Sequence, residues 1–561
     1  MTNVETFTFS CTQLVGLSSR WRVFADIITE PIAAIRPGPF PFMREFDQDA
    51  GSQASIDVMK QWIDHCQKTH DHAPTGHYRG PSRLIKLSKS EEHKAQICSP
   101  RVPVKFAALS YRWGADANSA TLKANVKERY KKLVTSDFPQ TLQDAIRVTR
   151  GLGLEYLWID RICIVQDDDD DWAREASIMA DIYETAYVVV SATATEDCRD
   201  GFLRKSSKPP LVLKYTQPGQ GILEVRARQI EGHNCDWKAP NIHYALDSRG
   251  WCFQERYLAR RTIHFLPTEI VFQCELERQC ECGAAGKEDF DYSEDDGLGT
   301  FLDLRDEPNL DPKKFHFGAD WMLVASEYSK MNLTYGGDSL PALSGLAASL
   351  AHLKAGEFIA GLWQKDIVFQ LAWHIEPGLD YRRWTFPENV DVLGPTFSWS
   401  SHVLPVVKGR EDHKRDICTL KSFDVDLATS NPYGKVRHAS IRLNGPVVPG
   451  RDLILWYKTS DDKQDTADVY LDSGLCLMVP FLYRDATNAA QYTKLEREID
   501  WDSVICFGLY ECGTWAAMQL DVLLLQPSKT RKGDYVRIGL VSGMWKPWFY
   551  DRAVERTITV V

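Results

Sequence analysis

Three short apolar segments alternate with two amphipathic segments in the middle of this chain, and this alternation restricts the possible folds more than any other feature. The apolar segments are "KFAALSYRWG", "LEYLWID" and "YVVVSATA". Between them, "FPQTLQDAIRVTRGLG" and "DDDDDWAREASIMADIYETA" carry apolar residues at helical spacing, and the acids that begin the second suit a helix N-terminus. Strands that alternate with helices in this way predict an α/β fold built on a doubly wound parallel sheet.

The flanking segments differ in pattern, and 561 residues are too many for one ordinary core. We therefore predict four parts. These are a mixed α/β extension at 1–100, the doubly wound domain at 101–287, a helical segment at 288–390 and a β-rich domain at 391–561. The acidic stretch "KEDFDYSEDDGLG" marks the second boundary. Short strands separated by turn residues in the last part are typical of an antiparallel sandwich or barrel.

Charge and composition exclude several classes of protein. A net charge of −11 argues against broad binding to nucleic acid or to anionic membranes. We find neither a basic, apolar secretory signal at the N-terminus nor an apolar run long enough to span a membrane. Several of the 14 cysteines sit in apolar contexts, as in "RICIV", which favours buried free thiols in a reducing compartment. We expect a cytoplasmic protein.

Two segments rich in cysteine or histidine are candidate metal sites. "CELERQCEC" contains Cys274, Cys280 and Cys282, and "DHCQKTHDH" contains His65, Cys66, His70 and His72. Neither has the paired C-x2-C spacing of a structural zinc site. The sequence therefore predicts no metal ion.

Polar residues follow the predicted strands at the positions where parallel sheets bind ligands. These are the residues Ser110, Tyr111 and Arg112, the pair Asp160 and Arg161, and Ser191. A further segment, "RGWCFQERYLARR", reads as a helix start in which Trp251 and Glu255 are four positions apart and share one face. A carboxylate beside an aromatic wall fits a catalytic site, whereas a salt-bridged surface turn is the simpler alternative.

The middle of the chain resembles a known family. "FAALSYRWG", "FPQTLQDAIRVTRGLGLEYLWIDRICIVQDD", "DWAREASIMADIY" and "RGWCFQERYLARR" are similar, in this order, to the sequence blocks of the fungal heterokaryon incompatibility (HET) domain. "GDSLPALSGLAA", "GLWQKDIVFQLAW" and "PTFSWSS" resemble the region that commonly follows it. The resemblance implies a role in fungal non-self recognition and regulated cell death.

The HET domain in turn resembles the Toll/interleukin-receptor (TIR) domain, which implies a TIR-like, flavodoxin-like sheet. "AALSYR" is similar to the first TIR strand, and "RGWCFQE" is similar to the motif whose Glu is catalytic in NAD-cleaving TIR domains. Carried onto this sequence, that residue is Glu255. Here a longer segment, with a predicted hairpin at "PLVLKY" and "ILEVRAR", separates the third strand from this motif.

Cleavage of NAD to nicotinamide and ADP-ribose is plausible chemistry for one carboxylate, because nicotinamide leaves without protonation and the ribose becomes cationic. Ser110, Tyr111 and the neighbouring strand-end residues would line the site. Arg112 suits the phosphates, Asp160 a ribose hydroxyl, and Trp113 or Trp251 an aromatic wall. NAD is expected as substrate, with no separate cofactor.

Each role has an alternative. Glu255 can instead pair with Arg249 or Arg260, Arg112 can pair with Asp160, and Trp251 can belong to the core. Glu175 is a second candidate for the catalytic acid.

Three functions remain open at this point. The first is an NAD glycohydrolase that is activated by self-association and restrained by the C-terminal region until a protein trigger binds. The second is a non-catalytic module that self-associates and recruits partners. The third, weaker one is a cysteine acyl-transfer enzyme using Cys163 or Cys252 with His264.

Overall fold

The computed structural model describes most of the chain. The described residues are 49–72, 80–88, 94–114, 119–203, 211–217, 221–227, 244, 246–267, 269–281, 305, 316–376, 394–402, 404–407, 409, 412–459, 467–472, 476–477, 499–514 and 517–561. The acidic stretch at 287–299 and Cys282 lie outside the described residues, as do positions 1–48 of the predicted N-terminal extension.

Nine of the first eleven described strands form one sheet, in the order β11-β10-β9-β6-β3-β5-β1-β2-β4. Strands β7 and β8 pair with each other as the predicted hairpin. The bounds are β1 Leu84–Leu87, β2 Lys94–Cys98, β3 Phe106–Ser110, β4 Leu133–Val134, β5 Tyr156–Trp158, β6 Val188–Ser191, β7 Leu211–Gln217, β8 Gly221–Ala227, β9 Arg261–Phe265, β10 Ile270–Cys274 and β11 Arg278–Cys280.

The centre of this sheet is parallel, which confirms the predicted α/β class. Strand β3 pairs in parallel with β5 and β6, and β6 pairs in parallel with β9. Every residue of β3 and β6 is buried, as expected for apolar strands covered on both faces. If the four parallel strands β3, β5, β6 and β9 are numbered 1 to 4 along the chain, their order across the sheet is 2-1-3-4. The chain therefore leaves β3 in one direction and returns on its other side, and this reversal lies between β3 and β6.

Seven helices accompany this sheet among the described residues. Both predicted amphipathic segments are helical, although the second is divided at Ile178 into two helices. The bounds are α1 Gln53–Thr69, α2 Val126–Arg129, α3 Gln140–Gly151, α4 Asp160–Cys163, α5 Asp169–Ser177, α6 Met179–Thr185 and α7 Gly250–Leu258.

Residues before position 100 complete this sheet. Strand β1 pairs antiparallel with β5, and β2 pairs antiparallel with β1. Helix α1 packs against α3 and β10, with Trp62 stacked on Phe272 at 6.3 Å between ring centroids. The first sheet thus contains strands from both sides of the predicted boundary at residue 100, namely β1 and β2 before it and the other seven strands after it.

Short helices lead into a β-rich region in the second half of the chain. The helices are α8 Phe317–Ser329, α9 Ser344–Ser349, α10 Ile367–Gln370, α11 Gly450–Thr459 and α12 Lys546–Tyr550. The strands are β12 Phe358–Ile359, β13 Leu362–Trp363, β14 His374–Ile375, β15 Val406–Val407, β16 His413–Asp416, β17 Thr419–Leu427, β18 Val436–Pro449, β19 Asp468–Leu471, β20 Cys476–Leu477, β21 Ile505–Thr514, β22 Ala517–Pro527, β23 Tyr535–Trp545 and β24 Val554–Val560.

Pairing in the β-rich region closes on itself. Strand β18 pairs with β21, β21 with β22, β22 with β23, β23 with β24, and β24 with β18 again. The pairs are antiparallel except for the single parallel partner pair between β23 and β24. The predicted β-rich C-terminal region is therefore present, and its central strands form a closed ring.

One hydrophobic core joins the two halves of the protein. Trp158 of β5, Leu346 of α9 and Leu443 of β18 belong to the same cluster of buried residues. A second, smaller cluster fills the C-terminal region around Leu524. Within the part of the chain that the structure describes, no helix combines the length and the apolar character needed to cross a membrane.

Candidate functional site

The carboxyl ends of β3 and β6 lie side by side at the reversal of strand order. Ser110 and Ser191 are register partners, and the backbone N–H of Ala192 donates to the carbonyl oxygen of Ser110 at 2.9 Å. In open α/β sheets, the crevice beyond such a reversal is the usual ligand site. The predicted strand-end serines are therefore where a binding site is expected.

Helix α7 brings Glu255 to this point. Its Oε2 accepts a hydrogen bond from Ser110 Oγ at 2.5 Å, and both side chains are buried. The pKa of Glu255 is raised to about 7, mainly by burial and also by the nearby carboxyl of Asp160, whereas Ser110 and Arg249 oppose the rise. A buried carboxyl that titrates near neutrality is typical of functional sites.

The start of α7 packs closely against the C-terminal half of the chain at Gly250. The N–H of Gly250 donates to the carbonyl of Asn332 at 2.9 Å, and a Cβ at this position would lie 2.4 Å from Leu333 Cδ2. Arg249, immediately before, donates through Nη1 to the carbonyl of Tyr111 at 2.8 Å. The first turn of α7 is thereby tied both to the strand end and to the C-terminal half.

Asp160 lies at the end of β5 and is held by its neighbours. Trp113 Nε1 donates to its Oδ2 at 2.6 Å, and the backbone N–H of Arg161 donates to its Oδ1 at 2.6 Å. Burial raises the pKa of this carboxyl. The Arg161 guanidinium lies 4.6 Å from the centroid of the Trp113 ring and donates to the Trp113 carbonyl at 3.0 Å.

The remaining predicted residues have different surroundings. Arg112 is half-buried, and no hydrogen bond or ion pair joins it to Asp160, although the structure describes both residues. Tyr111 is buried, and its hydroxyl has no hydrogen-bond partner among the described residues. Trp251 Nε1 donates to Asp338 Oδ2 at 3.2 Å, and its ring meets Trp172 edge-on at 6.0 Å.

Glu175, the second candidate acid, lies in another cluster. Arg83 Nη2 is 3.5 Å from its Oε1 and also forms an ion pair with the buried carboxylate of Asp171. Burial raises the pKa of Glu175. This arrangement, together with the bond from Arg83 Nε to the carbonyl of Cys163, ties α5 to the residues before β1. The sequence offered no signal for Arg83, because its partners are distant along the chain.

The candidate thiols are not prepared for nucleophilic chemistry. Burial raises the pKa of Cys163 to about 12 and also raises that of Cys252. His264 Nδ1 instead lies 3.1 Å from Thr193 Oγ1, and burial lowers the pKa of this histidine to about 3. The thiolate–imidazole pair that such an enzyme requires is absent from these described residues.

A second group of reactive side chains lies at the other end of the strands, where the last residue of β10, Cys274, pairs with the first residue of β9. Donor atoms of Cys66, His70, His72 and Cys274 all lie within 4.8 Å of one another. Two thiols and two imidazoles at this separation form a donor set suited to a tetrahedral metal ion. The sequence patterns missed this group because its members come from both candidate segments, and neither segment has zinc-site spacing alone.

The fold and the first site define an α/β protein with a buried carboxyl at the reversal of its parallel sheet. The family model described as "Heterokaryon incompatibility protein (HET)" matches residues 106–255, so this part of the chain is a HET domain. The match begins at the first residue of β3 and ends at Glu255.

A curated relative supports the same assignment. The chain is 32% identical over 95 residues to "Heterokaryon incompatibility protein 6, OR allele" of Neurospora crassa. The aligned part covers 16% of this chain and 14% of that protein. The comparison with solved structures found no match.

Proposed function

We propose that this protein acts in fungal non-self recognition and regulated cell death, and that its HET domain cleaves NAD to nicotinamide and ADP-ribose with Glu255 as the catalytic carboxylate. The observation that carries the proposal is the hydrogen bond between Glu255 and Ser110 at the reversal between β3 and β6. The match to the HET family and the name of the Neurospora relative support the biological role.

The order of the parallel strands supports the TIR-like part of the proposal. An order of 2-1-3-4 is that of the first four strands in flavodoxin-like doubly wound sheets, in which the ligand lies at the β1/β3 reversal. Here the equivalent strands are β3 and β6. The long segment between β6 and α7 does not prevent Glu255 from reaching this place, since α7 returns directly to the strand end.

Glu255 has suitable properties for the reaction. When the bond between ribose C1′ and the nicotinamide nitrogen breaks, the electron pair leaves with nicotinamide and positive charge develops on the ribose. A carboxylate stabilises that charge and then accepts a proton from the water that attacks C1′. The pKa of about 7 already includes the effect of the nearby Arg249 guanidinium. A cationic substrate favours the ionised form, because opposite charges lower a carboxyl pKa.

Three neighbouring groups have supporting roles. Ser110 Oγ–H orients the carboxylate of Glu255. Asp160 accepts a hydrogen bond from a ribose hydroxyl, which replaces one of its present donors, such as Trp113 Nε1. Arg112, half-buried at the end of β3, binds the phosphates.

Residues of the C-terminal half cover α7 and restrain the enzyme. Asn332 accepts a hydrogen bond from the N–H of Gly250, and Asp338 accepts one from Trp251 Nε1. Gly345 packs against α7 so closely that a Cβ at this position would lie 2.8 Å from Gln254 Oε1. Glu255 itself is only 7% exposed. In this arrangement substrate cannot reach the carboxylate, so activity requires that a partner or self-association favours a second arrangement by differential binding.

The same burial favours a second candidate function, the non-catalytic module. In that case Glu255 only fastens α7 to β3, and the domain acts by recruiting partners. The two candidates differ in one measurable product, free nicotinamide.

The test uses the full-length protein fused to a multimerising tag and incubated with NAD. We expect release of nicotinamide from the parent protein and loss of release in Glu255→Gln. Glu128→Gln is the matched control, because Glu128 is an exposed carboxyl on α2 that pairs with Lys131, two residues after the end of that helix. Absence of nicotinamide from the parent in both the tagged and untagged forms, with the fold intact by circular dichroism, would refute catalysis and favour the module.

A further inference from the structure

The group formed by Cys66, His70, His72 and Cys274 connects two distant parts of the chain. Cys66 lies in the last turn of α1, and the N–H of His70 caps that helix by donating to the carbonyl of Cys66 at 2.9 Å. Cys274 is the last residue of β10, 204 positions after His70. All four residues lie outside the segment that matches the HET family, so the family match does not account for them.

The donor atoms face one another. Cys274 Sγ lies 3.4 Å from His70 Nδ1, and no pair of donor atoms in the group is farther apart than 4.8 Å. In a tetrahedral site with Zn–S and Zn–N bonds of usual length, ligand atoms are about 3.3–3.8 Å apart. A contraction of about 1 Å at the widest pair therefore closes the site, and side-chain rotation can supply it.

His72 gives an independent indication of a ligand. Its side chain is 1% exposed, and Nδ1 lies 2.6 Å from the carboxylate oxygen Oε2 of Glu275. Its other nitrogen, Nε2, is buried and has no hydrogen-bond partner among the described residues. A buried imidazole nitrogen without a partner costs free energy unless something binds it, and the bond at Nδ1 fixes the tautomer that leaves Nε2 free to coordinate.

The surroundings match those of a metal site. In each histidine, the nitrogen that would not coordinate the ion faces a carboxylate. For His72 this carboxylate is Glu275, and for His70 it is Glu277, whose Oε2 lies 3.8 Å from Nε2 of the histidine. Such carboxylate–histidine pairs are typical of zinc ligands. Arg261 Nε donates to Cys66 Sγ at 3.2 Å, which stabilises a thiolate. Arg305 pairs with Glu275, so the carboxylate is itself held in place.

We propose that Cys66, His70, His72 and Cys274 bind one structural Zn²⁺ ion, which fastens α1 to the edge of the first sheet. Two thiolates and two neutral imidazoles select Zn²⁺ over the hard cations Mg²⁺ and Ca²⁺. All four positions are taken by protein, so the site is closed and has no place for a reacting water. The ion stabilises the N-terminal part of the sheet and takes no part in the chemistry at Glu255.

The first measurement is the zinc content of the full-length protein, purified without chelators and then dialysed against trace Zn²⁺. We expect about one equivalent, and less than one fifth of that in Cys66→Ser and in Cys274→Ser. Cys98→Ser is the matched control, because Cys98 is a free, half-buried thiol on the same sheet. It should keep the full equivalent. Retention of zinc by both ligand variants would overturn the assignment.

A second measurement does not depend on variants that fold. After removal of zinc, addition of Co²⁺ to the parent protein should produce the d–d absorption of a tetrahedral ion together with thiolate charge-transfer bands. Zn²⁺ should also protect Cys66 and Cys274 from alkylation, as mapped by mass spectrometry. A spectrum of six-coordinate Co²⁺, no protection, or a Cys66–Cys274 disulfide in the protein as purified would each refute the proposal.

Glu275→Gln tests the carboxylate–histidine pair while leaving the four ligands intact. Competition with a chromogenic chelator should show affinity for Zn²⁺ reduced by roughly 10- to 100-fold with unchanged stoichiometry. Unchanged affinity would contradict the proposed tautomer of His72.

Discussion

Ser110 Oγ donates to Glu255 Oε2 at 2.5 Å, and this bond joins the end of a central strand to a helix 145 positions later in the chain. Neither residue is near the other in sequence, yet the bond places a buried carboxyl at the reversal of the parallel sheet. The predictions below follow from the surroundings of these two residues.

Glu255→Gln should strongly reduce NAD cleavage without destabilising the protein. Loss of the charge that stabilises the ribosyl cation should lower NAD cleavage by about 100-fold or more. The folded pKa of Glu255, about 7, lies above its ordinary value of 4.5, so the folded state holds its proton more tightly and stability falls as pH rises between these values. The variant lacks this penalty of about 3 kcal/mol.

Thermal melts at two pH values check this sign. At pH 8 Glu255→Gln should melt at or above the temperature of the parent, and at pH 5 the relative advantage should disappear. A variant that melts well below the parent at pH 8 would indicate that the carboxylate is a structural ion-pair partner.

Ser110→Ala should change the pH dependence of the reaction. The Ser110 hydroxyl lowers the pKa of Glu255, so its removal should shift the acid limb of the pH–rate profile to higher pH by about 1 unit. Ser191→Ala is the control, because Ser191 is the register partner of Ser110 but bonds to Thr193. If Ser110→Ala and Ser191→Ala have equal pH–rate profiles, the group that titrates in the acid limb is not Glu255.

Arg112→Lys should weaken substrate binding selectively. Lysine keeps the positive charge but loses the two-pronged geometry that suits phosphate, so KM for NAD should rise while kcat and the melting temperature change little. Arg112→Ala should raise KM further. If Arg112→Ala instead lowers the melting temperature strongly with no effect on KM, this arginine is structural.

Gly345→Leu should activate the protein without a trigger. A Cβ at Gly345 would lie 2.4 Å from Ala180 Cβ, so a larger side chain forces α9 away from α6 and α7. We expect higher NAD cleavage and toxicity in untagged full-length protein. Ala348→Leu places the same side chain on the exposed side of α9 and should leave NAD cleavage and toxicity at their resting values. Activation by both variants would point to general destabilisation rather than to relief of a contact.

The strands of the first sheet could be predicted where burial on both faces produces continuous apolar runs, as in β3 and β6. The motif resemblance singled out Glu255, and the strand-end rule singled out Ser110, but neither predicted the hydrogen bond that joins them. Their roles in a site stay predictions. The hydrogen bond between Trp251 and Asp338 could not be predicted, because Asp338 belongs to a segment whose position is set by tertiary contacts. The zinc ligands were missed for the same reason, because His72 and Cys274 are neighbours only in space.

The two outer strands of the first sheet have a consequence for how copies of this protein can associate. Strand β4 has two residues and β11 has three, so each offers very few unpaired backbone groups. Short outer strands of this kind prevent edge-to-edge polymerisation of sheets. Assembly of copies through the first sheet would therefore have to use side-chain surfaces of its helices and loops, which can be reversible and selective, rather than a growing ladder of backbone hydrogen bonds.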